Sequence, residues 1–495
     1  MNMNDYIKQD GVGLAKLIKD KEVSPKELVE LSYQRLAAVN PNLNAAASTR
    51  EIAVNKELAH LSETNQTFRG VPFYLKGISQ ALKGEPLAGG ARLFESEIAQ
   101  ETSHFSKRLI DSGLVCLGHS TVPEYALKNI TESKLFGPTR SPWNHAYSPG
   151  GSSGGAAALV ASGVVPLAGA SDGGGSIRIP ASFTSLVGLK PTRGRTAVGP
   201  GVGRQWHGAA IDFALSRTVR DSARLLDISQ VVQEEAAFQT PLFAGSYEEE
   251  ITRPFNKKLK IGYTTESPVK TLVSAEAKKA VMNVVKWLES EGHEVVETNN
   301  NIDGEEMMRN YYLMNSGEIS AMTTQIEQSI GRKVTADDVE IETWLLNEAG
   351  RSVSAAEFSL SLASWDTAAE QMKNFHQTYD LYLTPAASSV APKVGELTHS
   401  KDAEVKLREQ IKNANAKEQQ EIIYEMFLPS LTYTPFTQLA NLTGQPAISV
   451  PTHLAENGLP IGVHFMARKG DDLSLLKIAS QLEFSDLWVG TKSLL

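Results

Sequence analysis

The sequence predicts an α/β protein folded as one large domain. Apolar stripes with helical spacing alternate with short apolar strands along most of the chain, a pattern typical of a sheet packed against helices. No segment repeats with a period of 20–50 residues, and no linker is long enough to separate two domains. The length, 495 residues, is one that a single large α/β sheet can reach.

The elements are predicted from local patterns in chain order. The first 65 residues are expected to be helical; residues 24–27 (SPKE) match a capping box with proline at the first helical position, and residues 40–42 (NPN) are predicted to end that helix. Further helices are predicted over residues 50–61, 103–112, 156–162, 219–232, 275–291, 401–425 and 473–482, and several helices are predicted to fill residues 305–372. Strands are predicted over residues 71–75, 115–118, 164–168, 258–263, 293–297, 381–385, 447–451 and 461–465.

The charge balance argues against a protein that grips nucleic acid or an anionic membrane. The chain has 48 Lys and Arg residues against 57 Asp and Glu residues, a formal net charge of −9. The uncharged run of residues 154–170 is shorter than the roughly 20 apolar residues of a membrane span, is rich in glycine and alanine, and contains Pro166. We therefore expect a buried segment here, and neither a nucleic-acid nor a membrane partner.

Cysteine and histidine usage excludes several kinds of site. The one cysteine, Cys116, rules out an intramolecular disulfide and a cysteine-based metal site, and we expect it to lie inert in a strand. The ten histidines form no metal-binding motif, and no nucleotide-binding glycine pattern precedes a helix, so no metal and no cofactor are expected. The first ten residues lack the apolar segment of a secretory signal, which together with the low cysteine usage favours a cytoplasmic location.

Two loops rich in glycine and serine carry the strongest chemical signal. Residues 150–155 read GGSSGG, and residues 172–180 read DGGGSIRIP. Consecutive glycines before a serine allow backbone angles that other residues avoid, and they can turn several N–H groups toward one point, as an oxyanion hole requires. The candidate N–H groups are those of Gly173, Gly174, Gly175 and Ser176. A serine at the end of such a loop is well placed to attack a carbonyl group.

The segment that holds both loops resembles the signature of the amidase signature family. Residues 150–181 read GGSSGGAAALVASGVVPLAGASDGGGSIRIPA, and the likeness runs through the whole segment. Residues 70–76 (GVPFYLK) resemble the family's upstream strand, which ends in a lysine. Further likenesses lie at residues 135–140 (LFGPTR), 188–192 (GLKPT) and 441–447 (NLTGQPA). The resemblance therefore spans nearly the whole chain.

The resemblance implies a fold, an activity and three catalytic residues. The family's fold is a mixed sheet covered by helices on both faces, and its members are amidases that cleave through an acyl-enzyme. Its Ser–Ser–Lys triad corresponds to Ser176 as the nucleophile, Ser152 as the bridging serine and Lys76 as the base. In the family the peptide bond that joins the positions of Gly151 and Ser152 is cis.

The chemistry expected of these residues depends on burial. A serine hydroxyl is a poor nucleophile without a base, and a lysine acts as a base only when neutral, although its ordinary pKa is about 10.4. Burial among uncharged neighbours lowers that pKa, and Lys76 closes an apolar strand. Ser152 can then relay protons between Lys76 and Ser176. Asp172 and Arg178 are expected to form a structural ion pair that braces the glycine loop, residues 173–176.

Two departures bear on the position within the family. Members of the family often have Asp directly after the catalytic lysine, whereas this chain has Gly77. Thr or Asn is common at the position where this chain has Ser171. Gly77 counts against close equivalence to the A subunit of an aminoacyl-tRNA amidotransferase, which is the alternative function. Residues 215–223 and the GVPF strand instead resemble the branch of nylon-oligomer cyclic-dimer hydrolases.

Two further interpretations compete with the triad. Ser153 satisfies the G-x-S-x-G pattern of the α/β-hydrolase nucleophile elbow, a short pattern that a Gly/Ser run meets easily. A non-catalytic binding protein of the same family is the second, and the presence of all three triad residues disfavours it.

The resemblance also implies an organisation and a partner. Residues 1–495 are expected to form one amidase domain, with residues 1–65 as an N-terminal helical arm and residues 70–195 as the catalytic core segment. The expected partner is a small-molecule amide, and a homodimer is left open. The segments expected to set acyl-group specificity are residues 143–147, 199–208 and 307–322.

Overall fold

A computed structural model describes residues 1–61, 66–491 and 494–495, and most of its strands join one sheet. The strands are β1 (Pro72–Lys76), β2 (Val115–Ser120), β3 (Glu132–Ser133), β4 (Gly137–Pro138), β5 (Leu167–Asp172), β6 (Val187–Lys190), β7 (Ile211–Ser216), β8 (Lys260–Tyr263), β9 (Glu294–Glu297), β10 (Leu381–Pro385), β11 (Ala447–Leu454) and β12 (Pro460–Ala467). In the described residues β3 and β4 form a separate two-stranded ribbon.

The large sheet is mixed and has the strand order β2-β1-β5-β7-β6-β11-β12-β10-β8-β9. Strands β2, β1 and β5 are parallel to one another at one end, and β10, β8 and β9 are parallel at the other. The strands between them pair antiparallel. Strands β1, β2 and β5 are buried along their whole length, as expected for parallel strands covered on both faces.

Helices cover both faces of this sheet. They are α1 (Met3–Lys8), α2 (Gly11–Lys19), α3 (Pro25–Leu43), α4 (Glu51–Ala59), α5 (His104–Asp111), α6 (Gly154–Ala161), α7 (Arg178–Thr184), α8 (Val219–Ser229), α9 (Tyr247–Glu250), α10 (Ala275–Ser290), α11 (Gly304–Ile330), α12 (Ile341–Gly350), α13 (Ala355–Phe375), α14 (Lys401–Asn413), α15 (Ala416–Tyr433), α16 (Gln438–Thr443) and α17 (Asp472–Glu483). The predicted α/β class and the mixed sheet are confirmed. Among the described helices, none has both the length and the apolar character needed to cross a membrane.

Helix α6 shows why the signature segment is rich in small residues. Every residue of α6 is buried, and the helix packs on β1, β2, β5 and β7. A Cβ atom at Gly155 would lie 2.5 Å from the backbone nitrogen of Thr121, so no larger residue fits at this contact. The small side chains therefore bring α6 close to the sheet, and the uncharged run that contains it is a buried segment of the fold, as predicted.

Some predicted boundaries are wrong, and two of them involve a proline. The strand predicted over residues 164–168 is β5, which begins three residues later, after Pro166, because proline cannot donate to a sheet ladder. Residues 172–180 are predicted as a loop, but helix α7 begins within this segment, at Arg178, and contains Pro180. This proline lies in the first helical turn, where its backbone nitrogen needs no hydrogen bond within the helix.

Two helix ends also differ from the prediction. Helix α3 passes through Pro41 and ends at Leu43, where Asn44 takes a left-handed conformation with φ of 51°. The helix predicted over residues 401–425 is two helices, α14 and α15, because Asn415 forms a capping box that starts the second. The capping box predicted at residues 24–27 is present, with Ser24 and Glu27 bonded reciprocally.

The N-terminal helices pack against the rest of the fold. The hydroxyl groups of Tyr6 on α1 and Ser32 on α3 both donate to the carbonyl oxygen of Val164, each over 2.7 Å. Residues 62–65 of the predicted helical arm lie outside the described residues. The division into an arm and a core segment stays a prediction.

Candidate active site

The carboxyl ends of two adjacent parallel strands bring the predicted catalytic residues together. Lys76 ends β1, and Asp172 ends the neighbouring strand β5, immediately before the glycine loop. A cavity of about 250 Å³ opens beside this loop, and Ser152, Ser171 and Ser176 all line it. The two loops that stand out in the sequence therefore meet at one cavity.

Lys76 is fully buried behind the cavity wall. Its Nζ atom lies 2.9 Å from Ser152 Oγ, 2.9 Å from Ser171 Oγ and 3.2 Å from the Ser171 carbonyl oxygen. Burial lowers the pKa of Lys76 to about 7, although the carboxylates of Asp212 and Asp172 act in the opposite direction. A substantial fraction of this lysine is therefore neutral near pH 7.

Ser152 lies between Lys76 and the cavity. It follows a cis peptide bond with Gly151, as the family resemblance implies. Gly151 packs against backbone, since a Cβ atom there would lie 2.5 Å from the carbonyl oxygen of Ile130. This close packing fixes the Ser152 hydroxyl between the buried amine and the cavity.

Ser176 is partly exposed and faces the cavity from the end of the glycine loop. In the part of the chain that the structure describes, no residue forms a hydrogen bond with its hydroxyl group. The hydroxyl is therefore accessible to a molecule that enters the cavity.

Hydrogen bonds from two side chains to its carbonyl groups hold the glycine loop in place. Tyr311 Oη donates to the Gly173 carbonyl oxygen over 3.0 Å, and Thr437 Oγ1 donates to the Gly174 carbonyl oxygen over 2.7 Å. Gly175 has φ of 128°, and a Cβ atom there would lie 2.2 Å from Thr437 Oγ1, so this position requires glycine.

One of the four predicted oxyanion-hole donors is already engaged. The N–H group of Gly175 donates to Asp172 Oδ1 over 2.7 Å, so it points away from the cavity and the prediction for Gly175 is corrected. Within the described residues the N–H groups of Gly173, Gly174 and Ser176 have no acceptor, and all three residues line the cavity. These three remain the candidates for binding an oxyanion.

Asp172 and Arg178 form a fully buried bidentate ion pair. Arg178 Nε and Nη2 each donate to one carboxylate oxygen of Asp172 over 2.9 Å. Burial alone would raise the pKa of Asp172, but Arg178 and the amide of Asn441 hold it well below its usual range. Asp172 also accepts the backbone N–H of Ile177, so the pair ties the end of β5 to the start of α7.

Ser153 lies outside the cavity. It is fully buried, and its Oγ atom donates to the Ser171 carbonyl oxygen over 3.3 Å and accepts from the Ser171 N–H group over 3.4 Å. The geometry therefore gives Ser153 a structural role and does not support the nucleophile-elbow interpretation.

The cavity wall is mostly apolar and comes from segments far apart in the sequence. Two of the predicted specificity segments contribute, with Trp206 from residues 199–208 and with several residues of α11. Residues 143–147 do not line the cavity, because Trp143 turns away and donates to the Thr184 carbonyl oxygen. Two further parts of the wall, residues 125–129 and residues 427–438, were not predicted from the sequence. The apolar face of α15 is the signal that could have indicated the second.

Charge on the cavity wall is neutralised. Among the described lining residues the charged side chain is that of Lys128, and its Nζ atom lies 2.7 Å from Glu340 Oε2 and 3.9 Å from Glu342 Oε1. The described residues also contain no group of three or more His, Cys, Asp or Glu side chains suited to a metal ion. The wall therefore suits an uncharged ligand.

Comparison with known proteins shows what this architecture is similar to. The model of the amidase family matches residues 27–476. A lipoamidase from Enterococcus faecalis is 39% identical over 479 residues, which are 97% of this chain and 63% of that protein. The 6-aminohexanoate-cyclic-dimer hydrolase of Paenarthrobacter ureafaciens is 31% identical over 492 residues, covering 98% of this chain and 96% of that enzyme. A solved structure of 6-aminohexanoate cyclic dimer hydrolase matches with a TM-score of 0.87 at 30% identity and covers 96% of both chains.

The predicted likeness to the cyclic-dimer hydrolase branch is confirmed, and the likeness to lipoamidase adds a relative that the sequence analysis did not name. This chain spans less than two thirds of the lipoamidase's length. The family model and the cyclic-dimer hydrolases, in contrast, cover nearly the whole chain. The chain belongs to the amidase signature family of amidohydrolases.

Proposed function

We propose that this protein hydrolyses a carboxylic amide through an acyl-enzyme formed on Ser176. The observation that carries the proposal is the buried contact of 2.9 Å between Lys76 Nζ and Ser152 Oγ, beside the cavity that Ser176 lines. A lysine with a pKa of about 7 is an effective general base near neutral pH, because it is both available and basic enough to take a proton.

The neighbours of Lys76 match the bonding capacity of a neutral amine, which has two N–H donors and one lone pair. The hydroxyl and carbonyl oxygens of Ser171 can accept the two N–H groups. The lone pair then faces the third neighbour, the hydroxyl of Ser152. Lys76 is thereby oriented to accept a proton from Ser152.

The reaction follows as a sequence of proton transfers. As Ser176 Oγ bonds to the amide carbon, its proton passes to Ser152, and the proton of Ser152 passes to Lys76. The loop N–H groups of residues 173, 174 and 176 receive the negative charge on the carbonyl oxygen. A proton returned through Ser152 to the amide nitrogen lets the C–N bond break and the amine leave. Water then attacks the acyl-enzyme along the same proton path, releasing the acid and restoring Ser176.

We propose an uncharged aliphatic acyl group as the preferred substrate. The cavity wall is mostly apolar, and its one described charge, on Lys128, is paired. The names of two relatives, a lipoamidase and a 6-aminohexanoate-cyclic-dimer hydrolase, both refer to amides of aliphatic acids. Lipoamide is therefore the first substrate to test.

The test is an amide panel assayed with the purified chain. Lipoamide and hexanamide represent uncharged aliphatic acyl groups, 6-aminohexanoate cyclic dimer represents a cyclic amide, and succinamate carries a negative charge on a short acyl chain. We expect kcat/KM for the uncharged aliphatic amides to exceed that for succinamate by at least about tenfold, because a buried unpaired carboxylate is costly. Succinamate as the best substrate would contradict the proposed specificity.

A further inference from the structure

Each peptide unit of the glycine loop is held at its carbonyl end. Four carbonyl oxygens accept hydrogen bonds from four different groups: that of Asp172 from Asn441 Nδ2 over 3.0 Å, that of Gly173 from Tyr311 Oη over 3.0 Å, that of Gly174 from Thr437 Oγ1 over 2.7 Å and that of Gly175 from the Ile179 N–H group over 2.7 Å. The peptide bonds of the loop are trans, so in each unit the N–H group points opposite to the carbonyl group. Each of these hydrogen bonds therefore fixes the direction of one loop N–H group.

The N–H groups fixed in this way differ in what they contact. The N–H group of Gly175 donates to Asp172 Oδ1, and Gly175 is buried. Gly173, Gly174 and Ser176 are partly exposed and line the cavity, and among the described residues their N–H groups have no acceptor. Since a glycine consists of backbone alone, the exposed atoms of Gly173 and Gly174 are backbone atoms.

Tyr311 holds the peptide unit that joins Gly173 and Gly174. It lies on helix α11, far from the signature segment in the sequence, and its side chain lines the cavity. A Cβ atom at Gly174 would lie 2.9 Å from Tyr311 Oη, so the hydroxyl group packs directly on the loop. Burial raises the pKa of Tyr311 to about 12, so the hydroxyl keeps its proton and remains a donor near neutral pH.

Two neighbours hold Tyr311 in place. Asn315 lies one helical turn further along α11 and forms a side-chain hydrogen bond with Tyr311. Trp206 Nε1 donates to Asn315 Oδ1 over 2.8 Å. An indole N–H group can only donate, so the oxygen of Asn315 must face Trp206, which leaves its NH2 group for the Tyr311 hydroxyl. Trp206 and Asn315 both line the cavity, so hydrogen bonds link the cavity wall to the glycine loop.

We propose that Tyr311 is a positioning residue of the reaction, whose hydroxyl sets the direction of the Gly174 N–H group so that this group receives the negative charge on the amide oxygen. The inference rests on the proposed function and adds to it a residue of α11 that acts through the glycine loop. An oriented donor of this kind contributes chiefly when charge develops in the transition state. Loss of the Tyr311 hydroxyl is therefore expected to lower kcat and to leave KM nearly unchanged.

The test measures kcat and KM of Tyr311→Phe with the best amide of the panel, together with the inhibition constant of hexylboronic acid. A boronic acid forms a tetrahedral adduct with a serine nucleophile and so resembles the charged intermediate. The comparison variant is Thr437→Val, which removes the hydrogen bond to the adjacent carbonyl oxygen, that of Gly174. The N–H group of that peptide unit is still held by Asp172, so Thr437→Val is expected to lower kcat by at most about threefold.

The control for the loss of a tyrosine hydroxyl is Tyr424→Phe. Tyr424 lies on α15 and packs edge-on against Tyr312 of α11, but it is not among the residues that line the cavity in the described part of the chain. This variant is expected to leave kcat unchanged. Circular dichroism and thermal unfolding establish that each variant folds. If Tyr311→Phe does not fold, Asn315→Leu, which removes the hydrogen bond to Tyr311, is judged by the same criterion.

Tyr311→Phe is expected to lower kcat by about 10- to 100-fold, to raise the inhibition constant of the boronic acid by a similar factor and to change KM less than about twofold. A loss that appears in KM instead, an equal or larger loss of kcat in Thr437→Val, or no loss at all would overturn the inference. If the wild type cleaves no amide of the panel, the proposed function fails and this inference falls with it.

Discussion

Lys76 Nζ lies 2.9 Å from Ser152 Oγ, and both side chains are fully buried. This contact places a lysine with a pKa of about 7 one hydroxyl group away from the cavity that Ser176 lines. The low pKa arises from burial at the end of β1. There the Lys76 amine contacts serine oxygens and has no hydrogen bond to a carboxylate among the described residues.

The first prediction concerns the pH dependence of activity. In the proposed mechanism the neutral form of Lys76 is the base and protonation removes it, so kcat/KM is expected to fall as the pH drops through about 7 and to level off above it. Lys76→Arg is expected to restore neither the rate nor this limb, because a guanidinium group does not deprotonate. The measurement is a pH–rate profile from pH 5.5 to 9, and near-normal activity of the arginine variant would show that Lys76 supplies only charge.

The second prediction concerns stability. The pKa of Lys76 is about 7 in the folded protein and about 10.4 when unfolded, so between these pH values the unfolded chain holds a proton that the folded protein lacks. The unfolding free energy of the wild type relative to Lys76→Met is therefore expected to rise with pH, by up to about 1.4 kcal/mol per pH unit. Urea denaturation of both proteins from pH 7 to 9.5 measures the difference. Parallel pH profiles would mean that Lys76 is charged in the folded state.

The third prediction separates the two serines of the signature. Ser153 is buried and bonded to Ser171, so Ser153→Ala is expected to cost less than about tenfold in kcat, the scale of one hydrogen bond. Ser176→Ala is expected to fold normally and to lose up to about 10⁶-fold, as in other serine-nucleophile enzymes. Steady-state kinetics with the best amide of the panel makes the comparison. A larger loss of kcat in Ser153→Ala than in Ser176→Ala would support the nucleophile-elbow interpretation.

The fourth prediction concerns the ion pair beneath the glycine loop. Asp172→Asn leaves the buried guanidinium of Arg178 without a counter-charge, and we expect a loss of about 3–5 kcal/mol in unfolding free energy. The control is Asp338→Asn, which breaks a more exposed pair with Arg332 and is expected to cost about 1 kcal/mol or less. Chemical denaturation at pH 7 measures both variants. Equal small losses would show that the buried pair does not brace the fold.

The fifth prediction concerns partners. We expect the purified chain to release ammonia or amine from simple amides without a second subunit, ATP or tRNA, and glutamine not to be its best substrate. The prediction rests on Gly77 and on the net charge of −9, which disfavours binding of the polyanionic tRNA. Activity that appears only with a second subunit and favours glutamine would support the amidotransferase alternative.

Much of the fold could be predicted because its strands are short, apolar and buried. The strand predicted over residues 381–385 coincides with β10, and the strand that ends at Lys76 is β1. Strands β6 and β7 were missed, since they lie in or after a region where glycine and proline dominate the local pattern. The local pattern also fails at Pro41, since helix α3 continues past this proline and ends at Leu43.

The predicted catalytic residues come from one sequence segment and one strand end, so a motif could indicate them. The cavity wall could not be predicted in the same way, because residues 125–129 and 427–438 meet there only through tertiary packing. The hydrogen bond from the Gly175 N–H group to Asp172 could not be predicted either. A run of glycines does not determine the direction in which each N–H group points. The homodimer and the cytoplasmic location stay predictions.

Covalent labelling with a fluorophosphonate tests most directly whether Ser176 is the nucleophile and Lys76 its base. The modified residue is mapped by mass spectrometry, and the labelling rate is measured against pH. The account predicts that the label lies on Ser176, that the rate rises through a pKa of about 7, and that Lys76→Met loses most of the rate. A label on Ser153, or labelling of Ser176 at the same rate without Lys76, would contradict it.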